Sequence, residues 1–243
     1  MLRFSALLGA LMLLFLLAAC TEDDADATGQ ADADGDLPDG ETLTPEDLDA
    51  AAPELPEPTD LTEGVAATID ATEIAVETVE ERFTSVSAVP EVAAQLEGEE
   101  AEQLGELLRA QILSRLILEE IVLQGADELG VTASADDIAA LREEETERAG
   151  GEEAFAAELE GSGITEAQVD DELRVAVLLD TIGAELGSDL DDAEVEVEGL
   201  SPEDLAVQEW LFEQITGRDV AVDARYGVWS AESGQVVPLN ATG

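Results

Sequence analysis

The 243-residue chain has no histidine, no lysine, one cysteine and few aromatic residues, 3% of the total. Without histidine there is no Ser-His-Asp or Cys-His nucleophile pair, no imidazole metal ligand and no imidazole proton shuttle. With Cys20 alone, no intramolecular disulfide can form. The nine cations are all arginine, scattered singly at Arg3, Arg82, Arg109, Arg115, Arg142, Arg148, Arg174, Arg218 and Arg225, against 60 Asp and Glu. The formal net charge of −51 excludes a nucleic-acid partner, because phosphate contacts need clustered cations. It equally excludes attachment through anionic lipid headgroups. Two origins of the acidity fit: a salt-adapted or extracytoplasmic setting in which self-repulsion is screened, or a GC-rich coding sequence that favours Ala, Gly and Arg codons.

What is present begins with a short apolar run. Arg3 precedes Leu7 to Ala19, which is interrupted by Gly9 and too short to span a bilayer comfortably; it has the form of an export signal. The run ends in Leu17-Ala18-Ala19-Cys20, which resembles the lipobox of bacterial lipoproteins. That resemblance implies acylation of Cys20 and cleavage before it, leaving the chain held by lipid on the outer face of the membrane; two acyl chains suffice for stable anchoring. An uncleaved anchor, or an ordinary signal peptide with an incidental cysteine, is the plainer alternative.

Thr21 to Glu63 holds 16 Asp and Glu, no cation, no aromatic residue and Pro38, Pro45, Pro53, Pro56 and Pro58. Such a segment buries too little surface to offset its chain entropy and reads as a disordered tether. Asp32, Asp34 and Asp36 alternate like the start of a calcium loop, but Leu37 and Leu43 stand where Gly and Glu are needed. No metal or other cofactor is expected.

From Gly64 the texture is that of a folded body. Val65 to Ile69 reads as a strand followed by a turn, and a helix follows from about Ala75 to Val86 with Val76, Val79 and Phe83 on one face. A second helix runs from about Glu99 to Leu129; its middle, Ile112 to Leu123, is apolar around most of its circumference, the mark of a helix surrounded by others. Gly130 stops it. Ser134 with Asp137 opens a helix to about Arg148, Glu152 to Leu159 form a short one, and Gly161-Ser162-Gly163 reads as a loop. Thr165 with Gln168 opens a helix carrying Val169, Leu173, Ala176, Val177 and Ile182, and Ser201-Pro202-Glu203-Asp204 opens the last one, with Trp210 on its apolar stripe. Asp219 to Asp223 alternates like a strand, and Arg225 to Pro238 suggests an extended segment or hairpin whose partner is the strand at Val65 to Ile69.

This order of elements resembles the N-terminal domain of the SurA-like periplasmic chaperones. The carrying residues are Val65 to Asp70 with Ile74, Leu108 to Gln124, Leu129 to Ser134 with Asp136 and Asp137, Phe155, Gly163 to Thr165, and Leu173 with Arg174. The resemblance covers roughly 64–186, together with 220–238. Family members usually place Gly or Asn in the first turn, where this chain has Asp70 and Ala71. The parvulin isomerase domain of larger members uses histidines, and with 63 residues after Asp180 and no histidine its activity is not carried over.

The resemblance implies a mainly α fold with a small β element and an apolar face for unfolded or extended polypeptide. The expected organisation is a signal at 1–19, a tether at 20–63, a helical domain at 64–186, an acidic linker at 187–199, and a segment at 200–243 that completes the domain. Val76, Val79, Phe83, Leu107 and Trp210 are the candidate lining, and they suit a closed core equally well. The expected function is non-enzymatic: a membrane-anchored chaperone-like lipoprotein, or alternatively an adaptor lipoprotein that binds one folded partner through the region from Trp210 to Trp229.

Overall fold

The computed structural model describes residues 56–98, 100–188 and 201–239. The expected signal, Cys20, most of the tether and nearly all of the acidic linker lie outside the described residues. The fold is mainly α. In chain order the elements are β1 (Val65–Ile69), β2 (Thr72–Ala75), α1 (Val76–Ser87), α2 (Pro90–Gln95), α3 (Ala101–Leu129), α4 (Ala135–Ala149), α5 (Glu152–Ser162), α6 (Glu166–Gly187), α7 (Pro202–Gly217), β3 (Val220–Val222), β4 (Val228–Ser230) and β5 (Gln235–Val237).

Local chemistry sets most helix boundaries. At α4 the Ser134 hydroxyl accepts the Asp137 N–H while the Asp137 carboxylate accepts the Ser134 N–H, and Ser201 with Asp204 repeats the exchange at α7. At α6 the Gln168 side chain accepts the Thr165 N–H. Gly130 ends α3 at φ 74°, a left-handed conformation that costs glycine nothing, and the Val131 N–H reaches back to the Ala126 carbonyl at 2.9 Å. The expected loop at Gly161-Ser162-Gly163 is shorter than that: α5 continues through Ser162, and Gly163 alone, at φ 68°, stops it. The helix α2, opened by Pro90, is an element that periodicity did not reveal.

The small β element is built from both ends of the folded body, as expected, but with an extra strand. β1 sits centrally in the antiparallel order β2-β1-β3, with Ile69 opposite Thr72 on one side and Val220 on the other. Asp70 supplies the turn between β1 and β2 at φ 51°, a conformation Asp tolerates better than most residues. Its carboxylate then accepts the Asp219 N–H at 3.1 Å and an Arg218 N–H at 3.3 Å, so the turn also ties down the start of β3. β4 and β5 form their own hairpin, Trp229 opposite Val236, rather than joining β1.

α3 is about 44 Å long at 1.5 Å per residue, and it runs through both cores. The first gathers Ile69, Val79, Leu113, Ile117, Ile121, Tyr226 and Trp229 from the sheet, α1, α3 and the hairpin. The second gathers Val122, Ala126, Val131, Leu178, Ile182 and Trp210 where α3, α6 and α7 meet. Two glycines let α7 lie close on α6: a Cβ on Gly187 would stand 2.7 Å from the Glu203 Cα, and one on Gly183 would stand 2.9 Å from Val207 Cγ2. The all-round apolar middle of α3 is the sequence signature of this position between two packed groups.

The segment before β1 is already part of the body. Thr59 bridges Asp223, and the Leu61 N–H donates to the Asp223 carboxylate at 3.1 Å, so the chain meets the folded body inside the span expected as tether.

Candidate functional site

Of the five candidate lining residues, three belong to one neighbourhood. Val79 is fully buried in the first core, and Val76 and Phe83 pack against that core half-buried. Trp210 is buried in the second core against Gly125. Leu107, on the first turns of α3, is 36% exposed and is the most open of the five. The helical stripes are therefore packing stripes at Val79 and Trp210. Cys20 lies outside the described residues.

The surface presents Leu107, Leu129, Leu186, Phe212 and Leu239 as large exposed apolar side chains. Of these Phe212, on α7, is the most open at 57% exposure. Sequence periodicity had marked α7 by its buried stripe, and a ring on the opposite side carries no periodic signal.

The cations are committed to the fold. Each of the eight described arginines pairs with a carboxylate: Arg82 with Glu119 and Glu172, Arg109 with Glu80, Arg115 with Glu119 and Glu172, Arg142 with Glu166 and Asp170, Arg148 with Glu145, Arg174 with Asp171, Arg218 with Asp70 and Glu128, and Arg225 with Asp223. Arg109 does more, lying with its guanidinium carbon 3.6 Å from the centre of the Phe83 ring. That leaves the body with many unpaired carboxylates and its described arginines already bound.

One group of four joins three helices. Arg82 of α1 donates to Glu172 of α6 at 2.8 Å and stands 3.8 Å from Glu119 of α3; Arg115 donates to Glu119 at 2.9 Å and to Glu172. The four side chains are mostly covered. Burial, and then the facing Glu172 charge, push the Glu119 carboxyl above its usual range, against the pull of Arg115 and Arg82. The Arg115–Glu119 pair has helical i,i+4 spacing, a local signal that the sequence reading did not use; its meeting with Arg82 and Glu172 is a tertiary event.

Asp180 on α6 is also raised, by burial first and then by Glu144 and Glu203. Asp223 moves the other way: burial opposes it, but hydrogen bonds from the Arg225 side chain and N–H and from the Leu61 N–H hold it below the usual range. In the first core Tyr226 Oη and Trp229 Nε1 are buried and meet no hydrogen-bonding partner among the described residues. Burial, and next Glu80, raise the Tyr226 hydroxyl.

Among the described residues no group of His, Cys, Asp and Glu is placed to hold a metal ion, and no helix is long and apolar enough to cross a membrane. The arrangement offers contact chemistry: exposed apolar side chains set among hydrated carboxylates.

A sequence family described as a SurA-like N-terminal domain matches residues 57–183. The match opens at the segment held by Asp223 and closes near the end of α6. No curated protein matches the chain.

Proposed function

The chain belongs to the SurA-like N-terminal domain family, and from that premise we propose that it is a lipid-anchored, extracytoplasmic holding chaperone that binds unfolded or extended exported polypeptides without isomerising prolines. The family match over 57–183 supports the chaperone-like part of the reading, since the family is chaperone-like and is not a catalytic one. The surface supports it. Leu107, Leu129, Leu186, Phe212 and Leu239 offer apolar footholds, each worth little at about 25 cal/mol per Å² buried, which suits weak binding to many clients. The carboxylates around them keep a client complex soluble.

In this reading Cys20 carries the lipid on the outer face of the bacterial membrane, and the acidic tether holds the body clear of it.

The test is light scattering from an aggregating unfolded client with and without the full chain, at low and high salt. Suppression near stoichiometric amounts is expected. Aggregation unchanged at both salts would end the chaperone reading and favour the adaptor one, which predicts a single saturable folded partner in crosslinking.

A further inference from the structure

Within the body, a cation is already held in a way that can be read as a template. On α1, Glu80 and Phe83 stand three residues apart and so share a helix face. Arg109 donates to both Glu80 oxygens, at 2.8 and 3.2 Å, while its guanidinium lies over the Phe83 ring. The carboxylate takes two N–H groups and the ring takes the flat face of the same cation.

The spacing recurs on α7 at Glu209 and Phe212, with Glu213 one step further along the same side. Here the ring is 57% exposed, both carboxylates are exposed, and neither makes an ion pair among the described residues. Glu152 and Phe155 on α5 repeat the spacing once more, but that ring is half-buried. No described cation is left over for α7: the chain has no lysine, and each described arginine is already bound to a carboxylate.

We propose that the Glu209, Phe212 and Glu213 face of α7 is a docking site for an arginine or lysine side chain on an extended polypeptide partner. The inference rests on the polypeptide-binding reading above and adds the partner's chemistry. Charge complementarity selects it: a chain of net charge −51 draws cationic segments toward it and repels acidic ones. A partner residue over Phe212 gains the ring face, two carboxylates and apolar cover for its own aliphatic stem. A second copy of this chain is the poorer occupant, since each of its described arginines is already held in a pair.

Three synthetic peptides test this, sharing one pattern of Leu and Ala and differing at two positions that carry Arg, Gln or Glu. Each is titrated calorimetrically against the full chain at low and high salt. The Arg peptide is expected to bind about 10-fold tighter than the Glu peptide at low salt, with the gap narrowing as salt rises. Phe212→Leu, which keeps apolar bulk but removes the ring face, is expected to weaken the Arg peptide about 3-fold and leave the Gln peptide unchanged. Glu209→Gln is expected to act in the same direction. These positions are exposed, and circular dichroism checks that the variants keep the fold.

Equal affinity for all three peptides would overturn the site and leave the chaperone reading intact. So would an Arg preference that survives both substitutions, or a concentration-dependent dimer lost in Phe212→Leu, which would give the face to a second copy. Failure of every peptide to bind, together with unsuppressed client aggregation, would remove the site and the chaperone reading together.

Discussion

The Ser114 hydroxyl, in the middle of α3, accepts the Val236 N–H at 2.8 Å and donates to the Ala110 carbonyl at 2.7 Å. One buried side chain thus ties the C-terminal hairpin to the central helix across 122 positions of sequence. Ser114→Ala would leave the Val236 N–H buried without a partner, at a cost of about 1 to 3 kcal/mol. The expected outcome is a lower denaturant midpoint with an unchanged slope and faster amide exchange at Val236 than in the rest of the hairpin. Unchanged exchange there would mean that strand pairing alone holds β5.

Gly125 sits inside α3, where alanine would ordinarily stabilise a helix by about 1 kcal/mol. Here a Cβ would stand 2.6 Å from Trp210 Cζ2 and 2.9 Å from the Gln214 side-chain oxygen. Gly125→Ala therefore has to displace the ring that anchors α7, and overpacking of that kind costs about 1 to 3 kcal/mol. Net destabilisation is expected, with a changed tryptophan emission in the folded state. A gain in stability would show that Trp210 has room to move aside.

What could be read from the sequence was what local chemistry controls. Ser134, Thr165 and Ser201 begin helices through partners three residues away, and Gly130 ends one through its own backbone freedom, so α1, α3, α4, α6 and α7 lay close to where periodicity and capping put them. The family resemblance was legible for the same reason, being a pattern of helix starts, stops and stripes. β2 was read as part of a turn because only Ile74 of its four residues is buried, too little alternation to announce a strand. Asp70 needed the structure to show why it can stand where glycine or asparagine is usual: its carboxylate finds partners at Arg218 and Asp219, nearly 150 residues on.

The candidate lining shows the limit most clearly. Val79 and Trp210 carry the stripe of a packed helix, and a stripe is the same whether its cover is the chain's own core or a client. Phe212, the ring left in the open, breaks the stripe and so gave no signal. Pairings such as Arg82 with Glu172, 90 residues apart, depend on helix placement that no local pattern carries.

Glu119 and Asp223 should pull stability in opposite directions with pH. Glu119 is raised, so just above the ordinary carboxylate range the folded state binds more protons than the unfolded chain. Its contribution is fully present below the unfolded pKa and is lost as pH rises through the folded one. Asp180 acts with the same sign. Asp223 is depressed, so its contribution is present above the unfolded pKa and is lost as pH falls through the folded one. Denaturant midpoints followed from about pH 7 to about pH 3 should first rise and then fall. Glu119→Gln is expected to shrink the rise, leaving the Asp180 part. Asp223→Asn is expected to flatten this part of the acid fall and to lower stability at neutral pH by about 1 to 2 kcal/mol, because Arg225 and the Leu61 N–H lose a charged acceptor. It should also open the segment before β1 to proteolysis near Thr59. An acid limb unchanged in Asp223→Asn would place the acid sensitivity in other carboxylates and remove Asp223 as the clasp that holds this segment.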